Sequence, residues 1–437
     1  MGDARKAALT ALEKCRRADA WSDAVLGSVM DGEGLDSRDR GLATALCYGV
    51  LQNRMLLDHV IGQLSDLPLS KLEPKVLDIL RLSLYQIMFL DRIPPSAAVN
   101  EAVRLCRQKG CARASGYVNA VLRRGAEGNY TLPEGKDAKA LSLRYSHPLW
   151  LTESLLTRLG PEETEALLRC HNSETPITLQ VNTLRTDTLS LQAALEAAGG
   201  EASPHPTLPD CLLLRHGGAL SALQAFQDGW CFVQDAAANL AVRAAGLRPG
   251  QSVLDVCAAP GGKSFAAAIF GGDGAVTACD LHEKKLKRIE DGARRLGLTG
   301  IHTLAMDARV FHPDFAARFD LVIADVPCSG LGVIRKKPDI RYKDPAAFAA
   351  LPKIQGDILR NASRYVAPGG ALLYSTCTLR KEENEDTVMG FLAEQPGFRA
   401  EEFSLPGGLH SVDGVLQLWP QRHGTDGFFI AKLRKQQ

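Results

Sequence analysis

Hydrophobic positions repeat with two different periods along this chain, and the change between them divides it. In the first part the spacing is helical. Val76, Ile79, Leu80, Leu84, Ile87 and Met88 recur every three or four residues between Lys75 and Leu90, and Pro94-Pro95 follows as a stop. Ser96–Leu105 and Gly116–Arg123 carry the same periodicity. After Gly125 the texture changes. Leu143–Pro148 breaks the helical pattern and Leu155–Cys170 restores it; Pro176–Asn182 then alternates as a strand does. Leu189–Ala198 reads as a helix ending at Gly199-Gly200, and Cys211–Leu214 as a short strand. From about Val233 onward, short apolar runs alternate with longer helical stretches, the pattern of a parallel sheet with crossovers. Its strands are predicted at Val253–Val256, Ala275–Cys279, Thr303–Ala305, Leu321–Ala324 and Ala371–Ser375, with a late one at Phe428–Leu433. The expected organisation is an all-helical part over 1–130, a small α+β connecting module over 131–230 and an α/β domain over 231–437.

Composition narrows the function classes. With 437 residues, 45% hydrophobic and 23% charged, the chain is an ordinary globular protein with room for two or three domains. A net charge of +1 excludes a polycation, so any nucleic-acid contact has to come from local basic patches. One such run is Arg104, Arg107, Lys109, Arg113, Arg123 and Arg124, with no acid between them; it reads either as a solvated face or as an RNA-binding one. No apolar run approaches the roughly 18–20 residues of a membrane span. The N-terminus, Met1–Lys6, opens mixed-charge helical sequence rather than an apolar signal core. Eleven cysteines without repeated Cys-x-x-Cys spacing point to neither a disulfide framework nor a zinc site, hence to a reducing cytoplasm and no metal.

The candidate chemistry lies in the α/β part. Cys257-Ala258-Ala259-Pro260-Gly261-Gly262-Lys263 joins a predicted strand to a helix through small residues, which let the backbone approach a ligand. This is neither Gly-x-Gly-x-x-Gly nor the Walker spacing, so a dinucleotide or a triphosphate fits poorly. Asp280 ends the next strand, where an acid holds ribose hydroxyls; Asp307 ends the third and can reach a base, and Asp325 ends the fourth. S-adenosylmethionine suits this set, because its sulfonium needs no phosphate cradle.

Two thiols stand beside that site. Cys328 follows Asp325-Val326-Pro327, and Cys377 follows Tyr374-Ser375-Thr376, each just after an apolar strand. In a doubly wound sheet, ligands lie outside the carboxyl ends of the strands, so both thiols face one crevice. Methylation at C5 of cytosine needs such a set. A thiolate adds to C6, an acid such as Asp325 hydrogen-bonds N3 and the exocyclic amine, and a second thiol assists elimination. Methylation of an exocyclic amine instead employs Asn/Asp-Pro-Pro-aromatic here and needs no thiol. Spacing alone leaves open which cysteine attacks.

Asp255–Lys263, Asp325–Gly332 and Tyr374–Cys377 resemble motifs I, IV and VI of the RNA m5C methyltransferases of the RsmB/NSUN family. Val333-Ile334-Arg335, Pro338-Asp339-Ile340, Glu382-Glu383-Asn384 and Asp426–Phe429 extend the likeness. Pro95–Val103 and Tyr117–Arg123 resemble the NusB-like RNA-binding domain, so the likeness to the bacterial small-subunit rRNA branch covers nearly the whole chain. It implies a Rossmann-like class I methyltransferase domain behind an RNA-binding helical domain, with 16S rRNA or a small-subunit precursor as partner and no obligate protein partner. It also implies Cys377 as nucleophile and Cys328 as the thiol that releases product; in DNA cytosine methyltransferases the Pro-Cys cysteine attacks instead. Lys263, Arg335, Lys337 and Arg341 become candidate RNA contacts, with Tyr342 as a stacking ring. Val233–Ala237 departs mildly from relatives at the edge of the cofactor site. The same chemistry on tRNA or DNA, or a non-catalytic RNA-binding assembly factor, are the alternatives.

Overall fold

A computed structural model describes residues 3–18, 22–215 and 220–437; Met1 and Gly2, where the N-terminal reading starts, lie outside them. The chain divides into two compact units, Met1–Ser173 with Ile334–Lys343, and Glu174–Val333 with Asp344–Gln437. No described helix is long and apolar enough to cross a membrane.

The first unit is helical. Its elements are α1 (Ala4–Ala18), α2 (Ser22–Gly32), α3 (Ser37–Leu64), α4 (Pro74–Phe89), α5 (Pro95–Gln108), α6 (Ser115–Ala126), α7 (Ala138–Tyr145), α8 (Leu149–Leu159) and α9 (Pro161–His171). The Asp36 and Asp137 side chains cap α3 and α7, accepting first-turn N–H groups. Pro74, Pro95 and Pro161 each open a helix, where a missing N–H is harmless. The apolar stripes of α1 to α6 meet in one core that includes Leu46, Leu57, Ile61, Ile79, Leu80 and Leu122. The single helix expected over Leu155–Cys170 is two, because Gly160-Pro161 ends α8 and starts α9. Helices α7 to α9 belong to this unit as well.

Half of the basic run is neutralised inside the unit: Arg104 pairs with Asp3 and Glu101, Lys109 with Glu13, and Arg124 with Asp66. Arg107, Arg113 and Arg123 are exposed.

Arg341 requires a correction. It was expected to hold an RNA phosphate, yet it is fully buried in this unit. Its Nη1 donates to the carbonyls of Gln52 (3.1 Å), Tyr145 (3.2 Å) and Ser146 (3.3 Å) and to Asn172 Oδ1 (2.9 Å). Two of these carbonyls end α7, where the helix leaves acceptors unsatisfied and carries partial negative charge. Tyr342 is engaged too. Its hydroxyl donates to Leu51 O at 2.7 Å, and the Arg54 guanidinium lies 3.6 Å from its ring centroid. Beside them His147 Nε2 meets His171 Nδ1 at 3.1 Å, with both rings buried.

The second unit holds a smaller and a larger sheet, with one separate two-stranded hairpin. In the smaller, β1 (Ile177–Val181), β2 (Ala202–Pro204), β3 (Cys211–Leu214) and β4 (Cys231–Val233) run antiparallel in the order β2-β3-β1-β4. Helix α10 (Thr188–Ala197) packs Leu191 and Leu195 onto it, and the short α11 (Gln224–Gln227) follows.

The larger sheet begins after α12 (Ala236–Ala244). Its elements are β5 (Val253–Asp255), α13 (Gly262–Phe270), β6 (Val276–Asp280), α14 (Glu283–Leu296), β7 (Ile301–Ala305), β8 (Phe319–Asp325), α15 (Leu351–Ser363), β9 (Val366–Thr376) and α16 (Glu385–Glu394). Beyond these come β10 (Phe398–Ala400), a hairpin of β11 (Ser404–Leu405) and β12 (Leu409–His410), β13 (Val415–Leu418), α17 (Pro420–His423) and β14 (Phe428–Lys435). The order is β10-β14-β9-β8-β5-β6-β7, with β13 on the far flank of β14. Strands β5 to β9 pair in parallel, and β14 runs antiparallel to β9. Alternation fills both faces: Leu321 and Ile323 meet α12 to α14, while Val322 and Ala324 meet α15 and α16. From β5 the chain builds outward through β6 and β7, then returns to add β8 on the other side. That reversal opens a crevice at the carboxyl ends.

Two outcomes follow for the helical unit. Burial first, and then the Arg341 charge, hold His147 and His171 well below the ordinary 6.5. The folded unit keeps both rings neutral, whereas the unfolded chain protonates them below pH 6.5. Stability is therefore full above that pH and falls on acidification, by roughly 1.4 kcal/mol per pH unit per histidine until the folded rings titrate. Urea midpoints between about pH 5 and pH 8 measure this, and His147→Asn should flatten the profile. Arg341→Ala leaves four acceptors and a void, and should cost about 2–4 kcal/mol in the same assay.

Candidate active site

The turn after β5 is built for close approach. Gly261 precedes α13 at φ 111°, and a Cβ there would stand 2.6 Å from the Phe265 ring, so only glycine fits. Ser264, in the first turn of α13, donates to Asp255 Oδ2 at 2.8 Å and ties the helix to the strand end. Burial raises the Asp255 carboxyl to about 7, against the opposing Ser264 hydrogen bond. Gln234 is buried behind the turn, its amide nitrogen 3.4 Å from where a Gly262 Cβ would lie.

Beyond the turn lies a cavity of about 490 Å³ at the carboxyl ends of the parallel strands. Of the residues singled out in the sequence, Cys257, Ala259, Asp280, Asp307, Asp325, Cys328 and Cys377 line it. Asp280 accepts from the backbone N–H of Ala259 (3.3 Å) and of His282 (3.0 Å). Asp307 is held by Arg309, which contacts both carboxylate oxygens at 3.0 and 2.7 Å and keeps the carboxyl below its ordinary value. Cys257 is a lining group rather than a nucleophile: burial and then the surrounding carboxylates push its thiol well up.

The remaining predicted residues divide. Ala258, Pro260 and Gly261 form the turn itself, and Gly262 opens α13. Lys263 is nearly buried and reaches across to Asp325, with Nζ 2.6 Å from Oδ2. Ser375 donates to the other Asp325 oxygen at 2.8 Å, so this carboxylate is fixed on both sides. Arg335, Lys337 and Arg341 belong to the helical unit, and Arg335 Nη1 lies 3.8 Å from Cys170 Sγ.

The two thiols meet. Cys328 Sγ and Cys377 Sγ are 3.3 Å apart, a hydrogen-bonding distance without a covalent bond. The hydrogen bond to Cys377 comes first, then burial, in raising the Cys328 thiol well above its usual range; Glu383 adds to this. Their loops lock through glycines. A Cβ on Gly332 would stand 1.9 Å from the Gly427 carbonyl oxygen, while Gly332 N donates to Cys377 O and Gly427 N to Gly332 O, both at 2.9 Å.

Sequence reasoning missed part of the wall. Met306, Ile354 and Ile358 supply its apolar surface, Lys285 and Arg309 a cationic edge, and His282 lies beside them. The four-residue spacing of Ile354 and Ile358 was a helical signal for α15; nothing local marks the others.

A doubly wound sheet with this turn, acids at the strand ends and paired thiols is the architecture of a methyltransferase domain. Comparison with known proteins agrees. The family described as 16S rRNA methyltransferase RsmB/F matches residues 243–434, the NusB family 2–127, and the RsmF/B-like ferredoxin-like domain 147–221. The probable ribosomal RNA small subunit methyltransferase B of Bacillus subtilis is 39% identical, over 99% of this chain and 98% of its own. Its counterpart in Vibrio cholerae is 36% identical over 91% of this chain and 90% of its own. The solved structure of PH0851 superposes with a TM-score of 0.83 at 27% identity, covering 99% of this chain and 98% of that one. NSun6 from Pyrococcus horikoshii with SFG shares the fold, with a TM-score of 0.58 at 23% identity, over 65% of this chain and 97% of its own. The chain belongs to the RsmB/F family of 16S rRNA methyltransferases.

The locked loops give a measurable contrast. Gly332→Ala forces two backbones apart beside Cys377 and should cost about 2–3 kcal/mol in thermal unfolding. Gly390→Ala, in α16 with nothing within 4 Å, should instead stabilise by about 0.5–1 kcal/mol.

Proposed function

We propose that this enzyme methylates C5 of a cytosine in small-subunit rRNA through a covalent bond between Cys377 and C6, with S-adenosylmethionine as donor, in the cytoplasm. The observation that carries the reading is the 3.3 Å approach of Cys328 and Cys377 beside the fixed Asp325 carboxylate. The cavity suits the donor: its volume lies in the small-molecule range, acids stand where a ribose and a base need them, and Met306, Ile354 and Ile358 offer an apolar flank. When bound, S-adenosylmethionine supplies an electrophilic methyl group.

The protein's own residues do the rest. Cys377 adds to C6 as a thiolate, and the electron pair moves through the ring to make C5 nucleophilic. Asp325 accepts from the exocyclic amine, while Lys263, 2.6 Å from that carboxylate, offers positive charge where the ring gains negative charge. After methylation a base removes the C5 proton, the double bond re-forms and Cys377 leaves as thiolate. Cys328 is the group adjacent to that sulfur and serves this release. Exposed Lys337 and its neighbour Arg335, both in the helical unit, are candidate contacts for RNA phosphates.

Denaturing gels with unmodified small-subunit rRNA test the roles. Cys377→Ala should lose methyl transfer by at least about 10³-fold while retaining donor binding, and Cys328→Ala should leave RNA covalently attached. An adduct formed through Cys328 would exchange the two roles. Methylation of tRNA but not rRNA would keep the chemistry and change the substrate.

A further inference from the structure

Glu383 is a fully buried carboxylate with no part in the proposed methyl transfer. It follows the loop of Cys377, in the short turn Lys381–Glu383. One oxygen, Oε2, accepts from Ser329 N at 2.9 Å and from Gln355 Nε2 at 2.9 Å. The same Gln355 nitrogen donates to Pro327 O at 3.0 Å. The residues on both sides of Cys328 are therefore clamped by one carboxylate and one amide. Ser329 Oγ also meets Thr378 Oγ1 at 2.6 Å, which stitches the Cys328 loop to the Cys377 loop. The Tyr374 hydroxyl donates to the Glu383 carbonyl at 2.6 Å and fixes the turn from below.

A buried carboxylate costs several kcal/mol unless it is matched by donors and charge. Its other oxygen is 3.5 Å from Arg380 Nη1, a distant and partly exposed partner. The Glu383 carboxylate thus stands against the Cys328 turn, one oxygen held by the residue that follows this cysteine. The other groups near the thiol pair are Tyr374, neutral and buried, and Asp325, which Lys263 neutralises.

We propose that Glu383 is a positioning residue for the thiol pair: it fixes the turn that presents Cys328 to Cys377, and its charge keeps the shared proton on Cys328, leaving Cys377 as the reactive sulfur. The consequence for catalysis rests on the reading of Cys377 as nucleophile. The placement of the proton does not.

Pulse alkylation of the full-length protein tests it without RNA or methyl donor. Brief, low-conversion iodoacetamide labelling at about pH 8 is read at each cysteine by peptide mass spectrometry. Wild type should label Cys377 in preference to Cys328. Glu383→Gln keeps the acceptor but removes the charge, and should raise Cys328 labelling relative to Cys377 by roughly tenfold. Glu383→Asp should retain the wild-type order. A Glu383→Gln ratio within about twofold of wild type overturns the proposal, as does an equal change in Glu383→Asp. If Glu383→Gln does not fold, Arg380→Met decides. It leaves the carboxylate less compensated and should lower Cys328 labelling, and a rise or no change overturns the idea. Wild type that labels Cys377 first but transfers no methyl to rRNA would count against the proposed function instead.

Discussion

The site depends on the parallel pairing of β8 with β9. Their register sets Asp325 opposite Ser375, so the two strands end level at one edge of the sheet. Cys328 lies three residues beyond the first of these, and Cys377 two beyond the second. The Asp325–Ser375 hydrogen bond, the thiol contact and the Ser329–Thr378 bridge all join these two strand ends. A slip of one residue would turn Asp325 and Ser375 to opposite faces and separate the sulfurs. The register is secured from both faces, because Leu321, Ile323 and Leu373 are buried in the core on one side of the sheet and Val322 and Leu372 in the core on the other.

Around that pairing, charge is placed rather than merely neutralised. Lys263, in the first turn of α13, and Asp325, at the end of β8, form a short ion pair, and the serine on β9 holds the other carboxylate oxygen. Asp255 stands behind them, more easily protonated because it is buried, with a single hydroxyl donor on one oxygen. Such groups do not have to reorganise when charge develops on a ligand, which is where preorganised dipoles are worth most. The helical unit uses the opposite device. Arg341 gathers backbone carbonyls and one amide oxygen in place of a carboxylate, and burial lowers it to about 10.

How far the chain could be read before folding follows from the range of each signal. Strands β5, β6, β8 and β9 and the turn after β5 were legible because periodicity and glycine placement are local. The late β13 and the clamp on Cys328 were not, because their partners come from elsewhere: β13 exists through β14, and Gln355 reaches Pro327 from a helix that begins 24 residues later. Arg341 shows the same limit from the other side. Arg335, Lys337 and Arg341 read alike as RNA contacts, yet Arg341 meets acceptors from Gln52, Tyr145 and Asn172. Charge in a sequence marks a preference for water that enough carbonyls can replace.

The two cysteines were equivalent by spacing, and their surroundings are not. Cys328 sits in a turn whose neighbours on both sides are fixed by Gln355 and Glu383, with a carboxylate nearby. Cys377 instead follows a core strand and packs against the edge of the hydrophobic cluster shared with α12 to α14. A hydrogen bond between two thiols has one donor, and negative charge near one sulfur disfavours ionisation there first. On the proposed reading, this asymmetry makes Cys328 the donor and Cys377 the sulfur that reacts.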